Sequence, residues 1–200
     1  FSTVAIGTQN RGADLAYVFS FDQGLLQMDS LTASAKGVNG FTTTTTINIG
    51  GGTVQTGAWT LSSSTGAGSA VTVANLTGGD ITFSGNISRG VKTGAGAVTA
   101  TVNLAGADLD MGGNSIGASS APVTFDAQSG SILGLAELNG GGTLTKTTTG
   151  TLTLGNGNLY TGGTNVTEGT LLANNTSGSA TGTGTLSVDF GATLGGDGII

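Results

Sequence analysis

Apolar and polar residues alternate in short runs along most of this chain. From Phe41 onward the runs are "TTTTTINI", "GTVQTGAWTL", "SAVTVANL", "DITFSGNI", "AVTATVNL", "APVTFDA", "GTLTK", "GTLTL", "NVTEGTLLA", "GTLSV" and "GATLGG". A period of two sends alternate side chains to opposite faces of a strand. Gly, Asn, Asp and Ser separate the runs, as turns require. No stretch past Gly40 carries a helical period, so residues 41–200 predict β-structure throughout.

The first 40 residues read differently. "RGADLAYVFSFDQGLLQMDSLTASAKG" contains Phe19, Phe21, Leu25, Leu26 and Met28 and has less glycine. Its aromatic and β-branched "AYVFSF" favours a strand. A short helix fits Gly24–Ser30, where the spacing is ambiguous. The segment is expected to be an N-terminal cap or assembly element on a body formed by 41–200.

Repetition narrows the fold. "NLTGGDITFSGNIS" from Asn75 and "NLAGADLDMGGNSI" from Asn103 align Leu76 with Leu104, Asp80 with Asp108 and Ile81 with Leu109. Farther on, a Gly/Ala-Thr-Leu unit places leucines at 144, 152, 171, 186 and 194. The pair Leu144 and Leu152 returns as Leu186 and Leu194. Repeats of roughly 20 to 50 residues indicate a solenoid. We expect an all-β, parallel β-helix of about 22 to 28 residues per coil, with roughly six or seven coils over 41–200. The alternative on pattern alone is an antiparallel β-sandwich.

Composition supports a packed chain. Glycine is 39 of 200 residues, but with a single proline, Pro122, collagen is excluded. Charged residues are 8% and hydrophobic residues 36%, which opposes disorder. The net charge is −6 and the five cations are scattered, with only Arg89 and Lys92 close together. That pattern argues against nucleic acid as a partner. No apolar run is long enough for a transmembrane helix. The sparse charge leaves self-association open.

The last third resembles the autotransporter-associated β-strand repeat, also called the passenger-associated transport repeat. "LTKTTTGTLTL" (Leu144–Leu154), "NLYTGGTNVTEGTLLA" (Asn158–Ala173) and "GTLSVDFGATLGGDGII" (Gly184–Ile200) carry the resemblance, with "YTGGT" before "GTLL" as its most specific part. Thr148 stands where the family usually has glycine, and Leu159 where it often has Thr. The resemblance covers about residues 138–200. It implies an exported bacterial protein, extracellular or on the cell surface, with a right-handed β-helix and a structural rather than catalytic role.

Candidate chemistry is thin. With no His and no Cys, the common catalytic triads and dyads and the His-ligated metal sites are unavailable. Asp108 and Asp110 would share one face of a strand, with Asp80 one coil away. Together they are candidates for a Ca²⁺ site or, more remotely, a glycosidase-like carboxylate cluster. The competing reading makes Asp80 and Asp108 turn residues bonded to their own backbone. "TTTTT" at Thr42–Thr46 offers a regular array for a flat surface, and more simply an edge strand. Trp59 and Tyr160 suit sugar stacking or the core.

The expected function is a non-enzymatic scaffold that self-associates head to tail, with copies of itself as the main partner and a carbohydrate or host surface as another. The apolar start and the uncapped "GATLGGDGII" place the contact at Phe1, Val4, Ile6, Ile199 and Ile200. Alternatives are a passenger stalk or adhesin fragment and a carbohydrate-active enzyme. No cofactor is expected beyond calcium.

Overall fold

The computed structural model describes residues 2–8, 12–37 and 40–200. The alternating runs form strands β1 (Val4–Ile6), β2 (Leu15–Phe21), β3 (Leu25–Lys36), β4 (Thr42–Ile49) and β5 (Thr53–Ser64). Then come β6 (Ser69–Leu76), β7 (Asp80–Phe83), β8 (Ile87–Arg89), the long β9 (Val98–Asp110) and β10 (Thr124–Leu133). The last third holds β11 (Leu144–Lys146), β12 (Thr151–Gly155), β13 (Thr164–Val166), β14 (Thr170–Ala173), β15 (Leu186–Val188) and β16 (Thr193–Gly195). No residue among those described is helical.

Each strand lies parallel on the equivalent strand one coil earlier. The result is a β-solenoid of about seven turns. At 4.7 to 4.9 Å per coil, the rod is about 35 Å long. An antiparallel sandwich is excluded by the parallel pairing of all these strands.

Columns of inward side chains run the length of the rod. One passes from Phe21 through Ile49, Leu76, Leu104, Ala127, Lys146 and Val166 to Val188. A second passes from Leu26 through Val54, Ile81, Leu109, Ile132 and Leu154 to Ala173. A third joins Leu31, Trp59, Ile87, Ile116 and Leu138. Nearly all of these are fully buried. Each large aliphatic side chain in such a column contributes about 1.5 to 3 kcal/mol by leaving water.

The repeats seen in the sequence are these registers. Asn75 lies on Asn103 and Asp80 on Asp108, as the internal alignment predicts. The two leucine pairs lie two coils apart, linked through Thr164 and Leu171. The coils also shorten along the rod. Asn103 bonds Asn75 across 28 residues, Ser131 bonds Asp108 across 23, and Ser187 bonds Asn165 across 22.

Three expectations change. Gly24–Ser30 is not helical: Leu25 to Met28 pair in register with Thr53 to Thr56 in β3 and β5. The composition shift in residues 1–40 marks no change of architecture, because β2 and β3 continue the stack of β4 and β5. Finally, "TTTTT" is no edge strand, since β4 is paired with β2 on one side and β6 on the other. Thr43 and Thr45 turn inward, and their buried Oγ1 atoms have no partner among the described residues.

On the outside, amides run along the same stack. Asn103 Nδ2 donates to Asn75 Oδ1 at 2.9 Å, and Asn75 Nδ2 donates to Asn48 Oδ1 at 2.9 Å. Asn75→Ala removes both bonds. The expected loss is about 1 to 2 kcal/mol. Faster amide hydrogen exchange in β4, β6 and β9, with β13 to β16 unchanged, would show it.

Candidate functional site

The three candidate aspartates project outward from adjacent coils. Asp80 opens β7, and Asp108 lies beside it in β9 with Asp110 two residues on. Asp108 accepts a hydrogen bond from Ser131 Oγ at 2.6 Å, so it links coils rather than closing its own turn. Asp110 Oδ1 accepts the Gly112 N–H at 2.8 Å, a local turn contact. Among the described residues, no group of three or more His, Cys, Asp or Glu side chains is placed to hold a metal ion. The aspartates therefore come together as a neighbouring pair plus one flanking carboxylate that already has a backbone partner.

The residues expected at the ends divide into two groups. Val4 and Ile6 of β1 pair with Leu31 and Ala33 of β3 and pack against the core. Ile199 and Ile200 expose their side chains, while the Ile199 backbone is tied down. Its N–H donates to Asn175 Oδ1 at 2.7 Å and its carbonyl accepts from Ala180 N at 2.8 Å. Phe1 lies outside the described residues. Sequence reasoning missed Phe190, which is fully exposed beside the half-exposed Val188 at the same end.

Trp59 and Tyr160 are both fully buried and unavailable for stacking on a ligand. Tyr160 Oη sits 2.6 Å from Thr164 Oγ1, and burial pushes its pKa up to about 12. A folded-state pKa above the unfolded value gives stability that is intact below about pH 10 and is lost as pH rises through about 12. The raised pKa corresponds to about 3 kcal/mol. Tyr160→Phe is therefore expected to flatten the stability curve between pH 10 and 12. Urea denaturation of both proteins at several alkaline pH values checks this.

The least foreseeable residue is Lys146, which occupies an interior position between Ala127 and Val166. Its Nζ donates to the carbonyls of Thr147, Thr148 (2.7 Å) and Glu168 (3.2 Å) at a corner of the coil. Burial pushes its pKa down, opposed by the charges of Glu168 and Asp126. At Glu137, burial pushes the carboxyl up, but hydrogen bonds from Leu138, Thr161 and Gly141 outweigh it and hold it low. Buried amides do similar work at other corners. Asn158 accepts from Leu135 N (2.8 Å) and donates to the Ala180 carbonyl (2.7 Å). Its only signal in the sequence was an Asn in the glycine-rich "GNGN".

The described residues include the linings of two surface recesses. The larger, about 700 Å³, is a polar groove lined by Gln27, Asp29, Gln55, Thr82 and Ser84. The smaller, about 300 Å³, has Arg89 and Lys92 on its rim. No helix among the described residues is long and apolar enough to cross a membrane. Comparison with protein-family models finds no match, and comparisons with curated proteins and with solved structures find none.

Proposed function

We propose that this chain is a non-enzymatic structural rod of an extracellular or bacterial-surface protein, extended head to tail by copies of itself. The observation that carries the reading is the parallel stack, whose interior is a set of mostly apolar columns. Such a stack resists bending and sets a fixed length, which is what a stalk or scaffold needs. The resemblance of "YTGGT" and "GTLL" to passenger-type repeats agrees with it.

Association follows from the terminal coils. Among the described residues, β2 pairs only with β4, and β15 and β16 pair only with β13 and β14. Phe19 and Phe21 at one end and Leu186 and Leu194 at the other are only partly covered. Each end of the described rod thus presents strand edges beside apolar side chains, the combination that favours strand addition. A contact between unlike ends propagates.

Negative-stain electron microscopy and sedimentation at micromolar concentration test this. The expected result is filaments of uniform width whose length grows with concentration. Val188→Asp combined with Phe190→Asp should return them to single particles. Single particles of the unaltered chain at every concentration would overturn self-association.

A further inference from the structure

The smaller recess arises from the shortening of the coils. β10 begins its pairing with β9 at Thr124 and Thr101. Val98, Thr99 and Ala100 are covered by β6 on one side, but β10 does not reach over them on the other. The step from a 28-residue offset to a 23-residue offset therefore leaves a ledge. The recess on this ledge is lined by Val98, Ala100, Pro122, the outward Thr99 and Thr124, and the two cations.

Those cations are unusual in this chain. Among the described residues, the other cations, Lys36 and Lys146, are buried. Arg89 and Lys92 are thus the solvent-facing positive charges of the described surface, and they line the same recess. Neither forms an ion pair among the described residues, although the whole chain carries 11 carboxylates. The Arg89 guanidinium is oriented by a bond to the Ser120 carbonyl at 3.1 Å, which leaves its remaining N–H groups for an anion. A planar guanidinium beside a flexible ammonium is the arrangement that recognises an oxyanion.

We propose that this ledge binds an acidic oligosaccharide, with one negatively charged sugar residue seated between Arg89 and Lys92. A recess of about 300 Å³ lies at the small end of ligand-pocket sizes and suits one ring rather than a folded partner. Val98, Ala100 and Pro122 supply an apolar wall for a ring face, and Thr99 and Thr124 supply hydroxyls for the ring substituents. The charge of the recess is opposite to that of the whole chain, which makes the ledge selective for anions. The carbohydrate-bearing surface of a cell offers such chains.

The test is calorimetric titration of the whole chain with tetragalacturonate. Neutral tetragalactose, sodium acetate, inorganic phosphate and an acidic peptide serve as comparators. Tetragalacturonate is expected to bind in the sub-millimolar range, more weakly as salt is raised. Arg89→Gln and Lys92→Gln should each weaken it about tenfold. Lys92 is exposed, so its variant keeps the test valid if Arg89→Gln perturbs the fold. Equal binding of the neutral sugar, or no loss in Lys92→Gln, would overturn the proposal. So would no binding at all, tighter binding of the peptide, or acetate or phosphate binding as tightly as the oligosaccharide. This outcome is independent of whether the rods assemble into filaments.

Discussion

Trp59→Ala is expected to destabilise the N-terminal half of the rod by about 3 to 5 kcal/mol. Trp59 has no exposed surface and occupies the third interior column between Leu31 and Ile87. Its ring meets Phe83 edge to face, with centroids 5.0 Å apart and planes at 69°. That geometry adds about 0.5 to 1.5 kcal/mol beyond area burial. Its Nε1 donates to the buried Thr56 Oγ1 at 2.9 Å, so alanine removes a hydrogen bond as well as volume. Trp59→Phe keeps much of the volume and should cost less than half as much. Far-UV circular dichroism during urea unfolding gives the difference. In a stack where each coil contacts only its neighbours, the loss is expected to concentrate in β3, β5, β7 and β8. Hydrogen exchange would then rise there before β13 to β16. A loss under about 1 kcal/mol would mean that Trp59 is not held in a packed column.

The columns were legible where residue type and period agreed. Leu76 with Leu104, Ile81 with Leu109, and the paired leucines of the last third announced both the coil length and the inward face. Other positions were hidden for physical reasons. Thr42 to Thr46 has no hydropathy contrast, so alternation could not show that Thr43 and Thr45 face inward. In β3 the buried positions shift phase between Met28 and Leu31, because the strand turns a corner, and a strict period of two fails there. Lys146 was hidden by its type. Lysine is seldom buried, and only the three carbonyls converging at its corner make the interior position tolerable.

The ledge at Arg89 and Lys92 was half visible. Their closeness in sequence was plain, but the recess depends on a change of coil length between β9 and β10. That change comes from where pairing begins, at Thr101 and Thr124, and no single residue encodes it. The aspartates show the opposite case. Their shared face was legible from spacing, yet their partners, Ser131 and the Gly112 N–H, were not.

Gly94→Ala is expected to be as damaging as the loss of Trp59, for the opposite reason. "TGAG" occurs at Thr65–Gly68 and again at Thr93–Gly96, one coil apart. The two turns nest so closely that a Cβ on Gly94 would lie 1.7 Å from the Gly66 carbonyl oxygen and 2.3 Å from its carbon. Both obstacles are backbone, so no rotamer change relieves the clash. One coil must lift off the other, which breaks the neighbouring bond from Ala70 N to the Ala97 carbonyl at 2.8 Å. The expected cost is about 3 kcal/mol or more, at the upper end for a single added methyl. Gly113→Ala separates this from backbone strain. Gly113 has a φ of 84°, but an added Cβ there meets nothing within 4 Å. Its cost should be about 1 to 2 kcal/mol, the penalty of a left-handed conformation alone. Urea midpoints for the two variants decide the matter. If Gly94→Ala is no worse than Gly113→Ala, the two turns are not held in so close an approach. If it is clearly worse, the close approach of backbone to backbone is what limits this turn to glycine.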